Sequence, residues 1–317
     1  MRQRFTKASG IPYLETPRDT ATETVDGPTP SNQHRLPDLN FTAMDSRNPA
    51  VALLRKLWRS GVPAPYRRQI RRAVYDLPHR LRDFIPDLGD HLSLTPLPPP
   101  RLRARVGLSS SRSSFTAVGK AALRDIYKSL GESGVARSEL RRWLDFGCGS
   151  GRIARYLSND DRIETLVGVD VDREAIEWCR SHLLGKYLAA NESPPLPLDD
   201  GCFDVVCTVS VLTHMDYDAQ TKWLRELHRV LRVGGLLIAT TMSPSLTWSR
   251  PDLSAAQLDS LAASGFLFGA APGPFNDSAA FQTKDYLVGK LSGLFRLRTF
   301  KELGLAGYLD LSIWEKT

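Results

Sequence analysis

The sequence predicts an α/β fold: a seven-stranded, mostly parallel sheet covered by helices, closed by a C-terminal antiparallel hairpin and preceded by a basic helical extension. Three observations carry this. From residue 142 onward, short apolar runs alternate with amphipathic segments of helical period. Glycines at 147, 149 and 151 punctuate the passage from the first run to the segment behind it, as a tight strand-to-helix turn requires. The last two runs are separated only by residues 301–307, too few for a helical crossover, so that pair must be antiparallel.

Taken in order, the strands are expected at 142–146, 164–169, 186–190, 204–210, 235–241, 294–300 and 308–315. The helices are expected at 151–158, 173–183, 217–232, 254–264 and 283–292. Strands alternating with helices call for a parallel sheet buried on both faces. An earlier helix over 115–130 follows from the stripe Val118, Ala122, Ile126, Tyr127 and Leu130. Asp172 is placed to cap the helix that begins at 173. In the helix over 217–232 the stripe is Trp223, Leu224, Leu227, Val230 and Leu231, and Gly234 with Gly235 supplies its stop. Residues 265–282 read as a long glycine-rich loop, with Phe266, Phe268, Phe275 and Phe281 available to line an apolar pocket.

Charge divides the chain. The net charge is +7, yet residues 51–112 hold thirteen Lys/Arg against four acids, so the remainder is slightly acidic. Three regions follow. Residues 1–48 are polar and aperiodic, a disordered or extended arm. Residues 49–113 form a basic helical extension and Pro-rich linker. Helices fall near 50–60 and 65–85, the second kinked at Pro78, and an extended connector covers 94–100. Residues 114–317 form the α/β domain. The 42% apolar content is enough for a core of that size. No apolar run approaches the length of a membrane span, and the N-terminus lacks the apolar core of a signal peptide. A cytoplasmic protein is the simplest expectation, with the basic stretch offering contact to a membrane surface. Cys148, Cys179, Cys202 and Cys207 match no zinc spacing and read as free thiols, and no metal is expected.

The motif that carries chemistry is Asp145-Phe146-Gly147-Cys148-Gly149-Ser150-Gly151, the pattern D-x-G-x-G-x-G. Twenty-five residues after Asp145, a second apolar run ends in Asp170. Such glycines let a ligand approach the backbone, and an acid at the next strand tip can accept from both hydroxyls of a ribose. An adenosine-containing ligand at the carboxyl edge of the sheet is implied. The dinucleotide pattern G-x-G-x-x-G/A fits 149–154 less well, because it ignores Asp145.

Further segments fall in order: Leu196-Pro197-Leu198-Asp199-Asp200-Gly201-Cys202-Phe203-Asp204, then the run ending at His214, then the helix before Gly234-Gly235. Together they resemble the class I S-adenosylmethionine-dependent methyltransferases, a Rossmann-like fold, over roughly residues 115–317. Val233 stands where that family usually has proline. The resemblance implies S-adenosylmethionine as cofactor. The loop Gly147, Cys148, Gly149 and Gly151 would hold its methionine part, and Asp170 its ribose. Val171 would pack on adenine and Asn191 meet the base edge. Asp145 and Ser210 would lie near the methionine moiety. For the acceptor side, His214 is the candidate base, with Asp216 and Tyr217 beside it.

The chain also resembles a group of bacterial methyltransferases linked to cell-surface glycan and glycolipid synthesis. The segments that carry this are Leu57-Trp58-Arg59 with Pro63-Ala64-Pro65-Tyr66-Arg67-Arg68, then Phe281-Gln282-Thr283-Lys284-Asp285-Tyr286, and Asp310-Leu311 near the end. Leu309 stands where that group often has Gln. A sugar or lipid-linked glycan hydroxyl is the acceptor this implies. Residues 51–105 would then meet an anionic phosphate or a membrane surface. The alternatives are a small natural-product methyltransferase and a scaffold that binds the ligand without turnover. The basic stretch lacks interleaved aromatics, which argues against a nucleic-acid substrate.

Overall fold

The structure is a computed structural model, described here for residues 96–107, 109–250, 252–270 and 278–317. The arm, the helices expected near 50–60 and 65–85, and Phe275 lie outside the described residues. Two helices lead in, α1 (Pro100–Gly107) and α2 (Arg112–Glu132). The sheet domain then runs β1 (Arg142–Phe146), α3 (Ala154–Leu157), β2 (Thr165–Asp170), α4 (Arg173–His182), β3 (Lys186–Ala189), β4 (Phe203–Thr208), α5 (Tyr217–Val230) and β5 (Leu231–Thr241). It closes with α6 (Ala255–Ser264), β6 (Phe266–Ala270), β7 (Ser278–Gln282), α7 (Lys284–Leu291), β8 (Phe295–Leu305) and β9 (Leu309–Lys316).

The seven-stranded sheet has the order β3-β2-β1-β4-β5-β9-β8, with β1 to β5 parallel and β9 antiparallel to both β5 and β8. The expected α/β class and terminal hairpin are therefore present. Order reverses at β1, where one crossover runs to β2 and the other to β4. A crevice opens at the carboxyl ends there. Leu144, Val206, Leu237 and Trp314 are buried on one side, with Leu224, Leu227 and Val230 of α5. Trp143, Val205, Ile238 and Ile313 are buried on the other, with Ile126 and Leu130 of α2. Strands buried on both faces explain why their sequences are nearly continuous apolar runs.

Three local features differ from expectation. Residues 265–282 are not a long loop: β6 and β7 pair antiparallel as a separate two-stranded sheet, from Phe266 opposite Gln282 to Ala270 opposite Ser278. Neither strand alternates clearly in sequence, and the glycines around them read as a loop. Gly234 and Gly235 do not stop α5, which already ends at Val230. They sit in a bulge of β5, where the register on β4 jumps between Phe203 opposite Leu231 and Val205 opposite Leu236. Finally, α1 begins at Pro100, where the proline-rich run was expected to remain extended; a proline suits the first helical position because its missing N–H has no partner to lose.

Asp204, the second residue of β4, fixes the start of the sheet. Its carboxylate accepts from the backbone N–H of Arg141 and Arg142 (3.0 and 2.8 Å) and from the side chains of Arg142 and Arg232 (2.9 and 2.7 Å). Burial alone would raise its pKa, but these donors outweigh burial and hold it at about 2. A carboxyl depressed below its ordinary value stabilises the fold above that value and loses its contribution as pH falls through the folded one. Asp204→Asn is therefore expected to lower the melting temperature at pH 7, with the gap to wild type closing between pH 4 and 2. A thermal melt series across that range checks it.

Candidate functional site

A cavity of about 780 Å³ opens at the carboxyl ends of β1, β2 and β4. The glycine turn forms its floor. Gly147 and Cys148 N–H both donate to Val169 O (2.7 and 3.0 Å), joining the turn to β2. Gly149 N–H donates to Asp170 Oδ2 (2.7 Å), and Asp172 N–H donates to Asp170 Oδ1 (2.8 Å). The strand-tip acid thus holds the turn on one side and the start of α4 on the other. Gly149 has φ +53, and a Cβ there would lie 2.3 Å from Val106 of α1, so both backbone and packing demand glycine. At Gly147, with φ +81, a Cβ would lie 2.1 Å from Val211 in the loop after β4.

Of the residues singled out from the sequence, Asp145, Gly147, Cys148, Gly149, Asp170, Val171, Asn191, Ser210, His214 and Asp216 all line this cavity. Gly151 and Tyr217 do not. Gly151 faces α4, where a Cβ would lie 2.4 Å from Leu183. Tyr217 is 54% exposed, with Lys290 Nζ 3.3 Å from its ring centroid. Asp216 caps α5, accepting from Ala219 N–H at 2.8 Å. Asp172 caps α4 as expected. Ser210 holds φ +59, a left-handed backbone rare for a residue with a side chain, and its N–H donates to Thr240 Oγ1 (2.8 Å). His214 Nδ1 lies 2.9 Å from Ser278 O. Among the four phenylalanines of 265–282, Phe268 lines the cavity, Phe266 stacks on Tyr286, and Phe281 is buried in a separate core.

Several lining residues were not singled out from sequence. Arg152 follows the glycine turn directly, and its place in the chain was the signal that could have found it. Leu102, Arg105 and Val106 come from α1 and Trp223 from α5; only the tertiary fold brings them here. Helix α1 is bound to α4 by ion pairs, Arg101 to Glu174 (2.7 Å) and Arg105 to Asp172 (2.9 Å) and Glu174 (2.8 Å). Arg103 donates to Pro98 O (2.6 Å) and Ser110 O (2.8 Å). These three arginines belong to the stretch read as a basic contact surface. All three bond within the described part of the fold.

Asp145 and Arg152 are two of the charged groups that line the cavity. Asp145 is 2% exposed, and its Oδ2 has no hydrogen-bond partner. Burial, and secondarily the charge of Asp170, raise its pKa to about 7. Burial lowers that of Arg152 to about 10, the charge of Asp145 opposing. The acid and the cation each feel the other's charge, yet no direct ion pair joins them. Such a wall fits a ligand that brings both a positive and a negative group.

Residues 144–239 match the family described as a methyltransferase domain. Among curated relatives, a phthiotriol/phenolphthiotriol dimycocerosates methyltransferase of Mycobacterium ulcerans is 36% identical over 107 residues, 33% of this chain and 39% of that one. A fatty-acid O-methyltransferase of Mycolicibacterium smegmatis is 34% identical over 108 residues, 33% and 39% of the two chains. The chain thus spans about two fifths of the length of the curated relatives it matches. A solved S-adenosylmethionine-dependent methyltransferase of Methanosarcina mazei is 22% identical, covering 56% of this chain and 93% of its own, with TM-score 0.46. The matched segment runs from β1 to β5, and the group that a methyltransferase domain implies is S-adenosylmethionine. The residues fit that group: the turn leaves backbone bare where side chains would stand, and the unpartnered Asp145 oxygen calls for a cation such as an ammonium.

A carboxyl raised from its ordinary value costs the fold stability as pH rises from about 4 to about 7, because the unfolded chain ionises first. Asp145→Asn is expected to raise the melting temperature at pH 8, by about 2–4 °C for each kcal/mol recovered. A ligand ammonium favours the ionised form. Wild-type affinity for S-adenosylhomocysteine should therefore fall about tenfold per pH unit below 7. In Asp145→Asn it should be weak and flat with pH. Calorimetric titrations between pH 5.5 and 8 check this; a flat wild-type profile would contradict it.

Proposed function

We propose that this chain is an O-methyltransferase whose acceptor is a hydroxyl on a sugar or lipid-linked glycan. When bound, S-adenosylmethionine supplies an electrophilic methyl group on a positively charged sulfur. On this reading Asp145 meets its ammonium, Arg152 its carboxylate and Asp170 its ribose hydroxyls. Val171, half exposed at the cavity edge, packs on adenine, and Asn191 meets the base edge. Gly147 and Gly149 leave the room, and α1, clamped to α4, excludes water from one side. Ser210 keeps the loop after β4 open above the turn.

The observation that carries the hydroxyl reading is His214. Its Nδ1 faces a backbone carbonyl, which can only accept, so Nδ1 carries the proton of the neutral ring and Nε2 holds the lone pair. A hydroxyl must lose its proton as it attacks, and Nε2 of His214 takes it. A carboxylate acceptor would need no such base. The apolar lining of Val209, Val211, Met215, Trp223 and Phe268 supports an acceptor that carries an aliphatic portion beside its reacting group. The two relatives named above are lipid methyltransferases by name, which agrees with a lipid-bearing acceptor. Asp216 caps a helix and Tyr217 faces outward, so both are assigned a supporting part only.

The test uses methyl-labelled S-adenosylmethionine with octyl β-glucoside and oleic acid as acceptor probes. Label that enters the glucoside and survives mild alkali is an ether and supports the reading. His214→Asn, which keeps a donor toward Ser278 O but has no base, should then cut turnover by about 10²–10⁴-fold with homocysteine-product affinity unchanged. Alkali-labile label on oleic acid, indifferent to His214→Asn, would show a carboxyl acceptor and defeat the proposal.

A further inference from the structure

We infer that Ser278 is the positioning residue for His214, so that the hairpin β6–β7 sets which ring nitrogen receives a proton. This rests on the reading of His214 as the base. The two residues are joined in both directions. His214 Nδ1 donates to the Ser278 carbonyl (2.9 Å), and the Ser278 hydroxyl donates to the His214 carbonyl (3.1 Å). One bond fixes the ring, and the other fixes the backbone from which the ring hangs.

The need for an outside clamp follows from the local backbone. His214 ends a three-residue 3-10 turn, Leu212–His214, directly after the strained Ser210. So short a turn has little rigidity of its own: His214 N–H reaches Val211 O at 3.0 Å, and the chain then leaves in an extended conformation at Met215. Gln220 braces the far side, donating to Leu212 O (3.0 Å) and Met215 O (3.1 Å). Neither bond touches the imidazole. The imidazole is held by a strand 64 residues later in the chain.

That strand is itself anchored. Gln282 N–H donates to Met242 O (3.0 Å), just past β5, and Phe281 beside it is 1% exposed. Ser278 therefore hangs from a fixed strand. Across the hairpin it pairs with Ala270, two residues from Phe268 in the cavity wall. One two-stranded element thus supplies both an apolar surface for the acceptor and the proton-accepting geometry of the base. A mere loop staple would need only the backbone bond; the bond to the ring is what specifies a tautomer.

The experiment reads the ring directly and needs no acceptor. Long-range ¹H–¹⁵N spectra of the full-length, histidine-labelled protein report the tautomer of each of its six histidines, and His214→Asn identifies the signal. Expected is an Nδ1–H ring for His214. Ser278→Ala keeps the carbonyl that the ring faces and removes the bond that fixes the backbone beneath it, so it should shift the tautomer ratio toward Nε2–H by at most about fivefold, the factor one hydrogen bond contributes, and Ser278→Thr should restore it. If Ser278→Ala fails to fold, Ser278→Cys, of similar size and a weaker donor, gives the same comparison. An Nε2–H ring in the wild type overturns the inference, as does a spectrum indifferent to loss of the hydroxyl. Failure of the base reading shows separately, as unchanged turnover in His214→Asn with the Nδ1–H ring intact.

Discussion

The site depends on one carboxylate. Asp170 ends β2 and spends both oxygens on backbone, one on the glycine turn and one on the start of α4. The turn can be this open only because something outside it holds it. Its three glycines sit at positive φ and break any regular helix, so an acid at the neighbouring strand tip supplies the missing acceptor. The parallel pairing of β1 with β2 brings that acid into place, with Phe146 opposite Val169 one residue before it. Sheet register therefore determines cavity shape. The same carboxylate has acceptor capacity left for a ligand hydroxyl, so structural and binding parts are shared rather than divided.

A second constraint is electrostatic. The floor of the cavity carries a buried acid whose outer oxygen is unpartnered and an arginine whose charge burial weakens. In a fold built only for stability these would pair or be replaced by apolar side chains. Here they stay apart, held by backbone that cannot move. The cost falls on the folded state and is recovered when a ligand of both charges enters, which is how a rigid site is tuned for one class of molecule. Helix α1 contributes by covering the turn, and its Arg101 and Arg105 are paired with Glu174 and Asp172.

Much of this was legible in the chain. The central strands of the main sheet announce themselves as apolar runs, because burial on both faces leaves no alternative. The glycine spacing and Asp170 mark the ligand end, since steric demands at a turn are local. What could not be read depends on contacts distant in sequence. Gly149 is required as much by Val106 as by any ligand, and nothing in residues 145–151 says so. The hairpin β6–β7 was hidden because its glycines and short strands imitate a loop, and its clamp on His214 spans 64 residues of sequence. Gly234 and Gly235 misled in the opposite sense: a glycine pair after a helix reads as its stop, whereas the strand bulge that needs them is set by β4. Arginines 101 and 105 show the same limit for charge, since a basic run in sequence says nothing about partners at the start of α4.

The most direct measurement is a calorimetric comparison of three ligands on the full-length protein: S-adenosylhomocysteine, 5′-methylthioadenosine and NAD. The first two share the adenosine and the sulfur, and only the first carries the amino-acid end that Asp145 and Arg152 are arranged to meet. The account predicts binding of S-adenosylhomocysteine, at least a hundredfold weaker binding of methylthioadenosine by the usual weight of two charged contacts, and none of NAD. Equal affinity for the two sulfur nucleosides would mean that the buried charges do not read the ligand. Binding of NAD alone would mean that the turn belongs to a different class of site.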